Sequence, residues 1–160
     1  MRIYIPATSS DLKSSPLEPR VVHAATPALE AALGPEDPEV VEAVAMNAAA
    51  DDSLALIGGV RKEGAGSSVA PRRCVVVAVV PDQHLRPLAE GEALPSALRL
   101  VDPVGWKHVE SIHVDDLESE QDVAAAADGD ESAFERVIDE DLMWYDVAER
   151  DVLAAELESL

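Results

Sequence analysis

His113-Val114-Asp115, with Asp116 directly after, is the stretch of this chain whose residue types and spacing come nearest to chemistry. In an extended backbone, residues two apart share a face. An imidazole and a carboxylate would then stand side by side, with a second carboxylate at the strand end. Such a pair serves in acid–base catalysis or as ligands to a divalent metal. His113, Asp115 and Asp116 are therefore the candidate catalytic residues of a metal-dependent hydrolase or transferase, with His113 and Asp115 the candidate metal ligands. A metal site needs three or four ligands, and His23, His84 and His108 stand in unrelated surroundings. The plainer alternative is a half-exposed strand face with an incidental His–Asp hydrogen bond.

Other reactive residue types fit known motifs less well. Thr8-Ser9-Ser10 follows a strand pattern and opens a helix, where backbone N–H groups can hold an anion. A phosphate loop would add glycines and a lysine, and neither is present; a helix cap is the plainer reading. Gly58-Gly59 and Gly64-Ala65-Gly66 do not fit a dinucleotide fingerprint, and Ser67 and Ser68 lack the strand–turn–helix setting of a nucleophile elbow. Cys74 lies among valines, where burial disfavours a thiolate. Tyr4, Trp144 and Tyr145 are the aromatic side chains that could line a pocket. In a strand, Trp144 and Tyr145 point to opposite faces. No cofactor pattern is present and no cofactor is expected.

These residues must be positioned by the elements around Cys74–Val80, the longest unbroken apolar run, five of whose seven residues are valine. Branched Cβ atoms favour an extended backbone, and Pro81-Asp82 ends the run at a strand's length. A strand apolar on both faces needs cover on both, so a central strand is expected. Before it, residues 2–5 and 20–25 read as strands, the first closed by Pro6. Thr26-Pro27 caps a helix ended by Gly34, and Asp37-Pro38 opens a longer one that Gly58-Gly59 should end near Ile57. Residues 60–72 should form a mobile loop. After the valines, residues 81–95 look irregular, 97–101 and 110–115 extended, and 117–127 and 132–140 helical. Residues 142–147 read as strand more than helix, and 151–160 as a last helix.

Strands near residues 3, 77, 113 and 145, with helices between the first two and the last two, give the order βα-β-β-αβ. A single α+β domain over 1–160 is expected: a ferredoxin-like α/β sandwich with extra edge strands and short helices. A mixed α/β sheet with extra edge strands is the alternative.

Composition narrows the function classes. At 160 residues, folding buries roughly 70% of the extended chain's surface, and the 48% of hydrophobic residues include few aromatics, so the core must be aliphatic. The N-terminus lacks a signal-peptide layout, no run approaches a membrane span, and Cys74 stands alone; a cytoplasmic location is expected. The net charge of −20 is uneven. Residues 110–160 hold 18 Asp and Glu against Arg136 and Arg150, a net of −16, while the first 109 carry −4. Such a field repels phosphate backbones and anionic lipids, which argues against nucleic-acid and membrane partners. It suits a solvated surface or an acidic face for a basic protein partner. A nucleic-acid mimic is a remoter possibility.

Met1-Arg-Ile-Tyr-Ile-Pro-Ala-Thr8, Thr26-Pro-Ala-Leu29, Val75-Val-Val-Ala78, Ile112-His-Val-Asp-Asp116 and Leu142-Met-Trp-Tyr-Asp-Val-Ala-Glu149 together resemble an uncharacterised family of small actinobacterial proteins, a domain of unknown function. The resemblance spans nearly the whole chain. It implies a single compact domain and carries no activity, cofactor or catalytic residue with it. With no catalytic constellation beyond the His113 cluster, the function expected first is a non-enzymatic cytosolic protein-binding or regulatory module with an acidic C-terminal face; the metal-dependent hydrolase or transferase stands second. Oligomeric state is not legible.

The charge asymmetry has a measurable result. Self-repulsion in the acidic third should be relieved by screening, so the melting temperature should rise between low salt and ~0.5 M NaCl at pH 7 with a chelator present. A flat or falling melting temperature in that series would show that the acids are dispersed or already paired.

Overall fold

The run Cys74–Val79 is an inner strand of a seven-stranded antiparallel sheet. The computed structural model describes residues 1–64, 68–89 and 93–158. In chain order the strands are β1 (Arg2–Ala7), β2 (Val21–His23), β3 (Cys74–Val79), β4 (Leu85–Pro87), β5 (Ala97–Leu100), β6 (Val109–Val114) and β7 (Met143–Asp146). They lie side by side as β4-β5-β2-β1-β3-β6-β7. The helices are α1 (Pro27–Leu33), α2 (Pro38–Lys62), α3 (Glu120–Ala127), α4 (Glu131–Ile138) and α5 (Arg150–Glu158).

The valines are apolar on both faces because both faces are covered. Val75 and Val77 pack with Tyr4, Leu29, Val41, Ala45 and Ala49, beneath α1 and α2. Cys74, Val76 and Ala78 point the other way, into the cluster that holds Ile3, Ile5, Ile112 and, from α5, Leu153, Ala154 and Leu157. β1 is buried as deeply, and pairs with β3 from Arg2↔Val79 to Ala7↔Cys74. The strand therefore runs through Pro6, where the sequence suggested an end. Toward β2 the pairing is Tyr4↔His23 alone, so a residue without an N–H leaves no ladder bond there unmade.

The mixed α/β character is as expected, but the ferredoxin-like order is not the one observed. That arrangement splits two parallel strands of a βαβ unit around a third. Here β1 and β3, joined through β2, α1 and α2, are antiparallel neighbours, and β1-β3-β6-β7 follow one another in the sheet. The alternative, a mixed fold with extra edge strands, is the closer description: β2, β5 and β4 extend the sheet beyond β1. β4 went unseen because Leu85 is its lone buried residue and a proline ends it.

Local signals placed the helix starts well. Thr26 Oγ1 accepts from Leu29 N at 3.0 Å with Pro27 in the first turn, and Gly34 takes a φ of +76° at the end of α1. Asp130 caps α4 by accepting from Ala133 N at 3.1 Å. The end of α2 differs: it continues through Gly58-Gly59 to Lys62. The expected loop at 60–72 is thereby shortened, with Val60–Lys62 helical and Ala70 and Arg72 buried; residues 65–67 lie outside the described residues. Gly58 is a packing residue. A Cβ there would lie 2.9 Å from the backbone oxygen of Ala127, where α2 meets the end of α3, whereas one on Gly59 would meet nothing within 4 Å.

The two glycines thus make a paired test. Gly59→Ala should stabilise by about 0.5–1 kcal/mol through helix propensity. Gly58→Ala, with the same propensity gain, should instead destabilise by about 1–3 kcal/mol because α3 is pushed away. Urea unfolding of both variants checks this, and equal effects would refute the close approach.

Candidate functional site

β6 carries the residues singled out first, and its pairing decides their fate. His113 sits in register between Val75 of β3 and Trp144 of β7. Its Nε2 lies 2.9 Å from Ser111 Oγ, on the same face of the same strand. Burial holds its pKa below the usual value, so the ring is neutral at pH 7.

Asp115 goes elsewhere. Because Cys74 pairs with Val114, Arg73 falls opposite Asp115 just past the strand ends. The carboxylate accepts from Arg73 N at 2.7 Å, from Nε at 2.8 Å and from Nη2 at 2.8 Å. In the backbone, Asp115 N donates to Arg73 O at 3.1 Å. Arg72 Nε donates to Asp115 O at 2.8 Å, and its Nη1 to Glu156 Oε1 at 3.2 Å, which ties α5 to the same point. Asp115 is fully buried and Arg73 nearly so. Asp116 caps the turn Leu117–Ser119, accepting from Glu118 N at 3.2 Å. His113, Asp115 and Asp116 are thus engaged in three separate structures. Among the described residues no three His, Cys, Asp or Glu side chains gather where one metal ion could be held.

The aromatic candidates divide as strand geometry requires. Tyr145 pairs with Ile112 and packs on the α5 side of the sheet. Tyr4 and Trp144 share the α2 side, where they line a cleft of about 340 Å³ with Met46, Glu110 and His113. Tyr4 is buried and its hydroxyl donates to Glu42; burial first, then that carboxylate, hold the phenol protonated well above its ordinary range. Trp144 is 61% exposed. Met46 and His113 also line a second hollow of about 400 Å³, walled by Asn47, Glu140 and Asp141. The two hollows adjoin at Met46 and His113 and together line a trough along the flank of α2.

One cluster escaped the sequence. His23 Nδ1 lies 2.7 Å from Ser96 Oγ, and its Nε2 lies 2.6 Å from Asp52 Oδ2. A Ser–His–Asp chain suggests nucleophilic catalysis, but Ser96 and His23 are each 2% exposed, so no substrate carbonyl reaches the hydroxyl. The cluster is a tie. It fastens the segment before β5 to β2 and α2, beside Thr26 Oγ1 donating to Pro95 O at 2.6 Å. The neighbouring Ser53 donates to Ala7 O at 2.6 Å and accepts from Cys74 N at 2.9 Å. Burial also raises the pKa of Asp51. Asp52 and Ser53, polar residues in the middle of α2, are where the helix grips the sheet. No local motif announces this, because the partners are 29 and 73 residues from His23.

The remaining candidates are structural. Thr8 N donates to Asp11 Oδ2 at 2.9 Å and Ser9 Oγ accepts from Ala70 N at 2.9 Å, which makes Thr8-Ser9-Ser10 a cap. Burial pushes the Cys74 thiol far up, leaving it inert. Ser67 lies outside the described residues. Among those residues no helix is long and apolar enough to cross a membrane.

An open antiparallel sheet, helices on both faces and a shallow trough on one flank define a mixed α/β domain. The chain belongs to DUF6912, a family of unknown function, whose model matches residues 1–154. No curated protein and no solved structure matches the chain.

The buried pair supplies the prediction here. Asp115→Ala leaves the Arg73 guanidinium buried without its counter-ion and should cost about 3–5 kcal/mol in denaturant unfolding. Replacing both partners with apolar residues of similar volume should recover most of it. A loss below about 1 kcal/mol in the single variant would mean that the pair is solvated.

Proposed function

We propose that this chain is a non-enzymatic cytoplasmic module that binds a basic protein partner through the acidic surface of its C-terminal third. The observation that carries the proposal is the edge strand β7. In a chain with two tryptophans, one stands 61% exposed there beside Met143, itself 46% exposed. Aromatic and methionine side chains open to solvent mark binding surfaces more often than ordinary surface does. Acids surround them: Glu140 and Asp141 precede the strand, Asp146 ends it, and Glu110 stands on the next strand, all exposed. Opposite charge steers a basic partner to such a patch and suppresses acidic ones.

A photo-crosslinking side chain placed at position 144 in cells tests this. Adducts with basic proteins are expected, lost at ~0.5 M salt, where charges beyond about 3–5 Å are screened, and lost with Glu140→Gln, Asp141→Asn and Asp146→Asn combined. The same probe at Val152, exposed on α5, is the control. The same adducts from both positions, or adducts indifferent to salt and charge, would sink the proposal.

A further inference from the structure

α2 lies across β2, β1 and β3, and the sheet continues past it. On that face, cover runs out at Met46, so that His113 of β6 is half-buried and Trp144 of β7 is exposed. The uncovered strip is the trough. Its floor is apolar and aromatic, from Met46 and Trp144, and its two ends are acidic. Glu110 stands at one end, and Glu140 and Asp141 at the other, all exposed. The arginines that border it are engaged: Arg2 Nε donates to Glu110 at 2.9 Å, and Arg73 is buried on Asp115. Each hollow is sized for a few side chains, well short of a helix 10–12 Å across. Among the described residues no strand lies beyond β7; Asp146 N there already donates to Glu149 Oε2 at 2.8 Å, and the rest of that edge is left for a further strand.

We infer that the partner contributes an extended basic segment, added along the outer edge of β7, whose alternate side chains face the trough. Period-two alternation sends every second residue of such a strand to the Trp144 face. A lysine or arginine there lies against the indole ring, a contact that desolvation strengthens. Its charged head meets the acidic ends of the trough, and an apolar residue beside it covers Met46. Charge complementarity names the occupant: an acidic strand would gain the edge hydrogen bonds but meet repulsion at Glu140 and Asp141, and a neutral one would gain no attraction there. This inference rests on the proposed binding of a basic partner and adds its conformation and pairing edge.

The test uses the whole chain and three peptides of about ten residues, a strand's length: alternating lysine and valine, alternating glutamate and valine, and a helical lysine–alanine peptide. Binding is read from Trp144 emission and from amide protection at 143–146. The lysine–valine peptide should shift the emission and protect those amides. Trp144→Ala should abolish the emission shift, and Glu140→Gln with Asp141→Asn should weaken binding about tenfold, as removal of charge pairs does. Asp128→Asn, whose carboxylate is paired with Arg61 away from the trough, should change nothing. Equal binding of the helical peptide, or binding without protection at 143–146, would overturn strand addition and leave the acidic surface standing. Failure of all three peptides while crosslinks form at position 144 overturns this inference alone, and failure of both experiments removes the binding function with it.

Discussion

Arg73 and Asp115 bring opposite charges out of water at the point where β3 begins and β6 ends. Taking two ions into the interior costs several kcal/mol each, repaid only when geometry and hydrogen bonding are complete. Here the carboxylate accepts three bonds from one residue, its backbone N–H included. A shift of β6 by one residue would break all three and strand both charges. The pair therefore adds a polar lock to the register of β6 against β3, which the burial of Ile112 and Val114 on one face already favours. Through β6 it sets the register of β7, and through Arg72 and Glu156 it reaches α5. The face on which His113 and Trp144 stand follows from that register.

The helical layer is fixed by a second polar device. A helix resting on valines could slide along its axis at little cost, since apolar contact is not directional. Ser53 and Asp52 remove that freedom, one bonding the ends of β1 and β3, the other the imidazole of His23. Gly58 then lets α3 come within backbone contact of α2, so Leu54 and Ile57 meet Val123 and Val137 in a separate small core. The contacts of α2 with the sheet and with α3 are thus keyed by polar or steric features set among aliphatic ones.

What was legible in the sequence was local. The valine run, the Thr26-Pro27 cap and the break at Asp128-Gly129 carry their structure in a few adjacent residues, because branching, capping and left-handed φ act within a turn or two. The errors lie where a distant partner decides. Gly58 resembles a terminator until Ala127 arrives against it, and Asp115 resembles a partner for His113 until Arg73, 42 residues away, claims it. Pro6 resembles a strand end until the short reach of β2 is known. Tyr4 and Trp144 line the same hollow, but the extent of the trough around them depends on where α2 stops covering the sheet.

The pairing of β1 with β3 also bears on how the chain is made. β1 leaves the ribosome before the other strands, yet its full-length neighbour follows only after β2, α1 and the whole of α2. Until Cys74–Val79 emerges, Ile3 and Ile5 have no strand on that side and Ser53 lacks one of its two bonds. β3 completes the ladder to β1, and β6 then brings Asp115 to Arg73, so the costly charged contact is made after its scaffold. The central pairing of β1 with β3 thus requires the chain as far as Val79, a non-local contact set by the strand order.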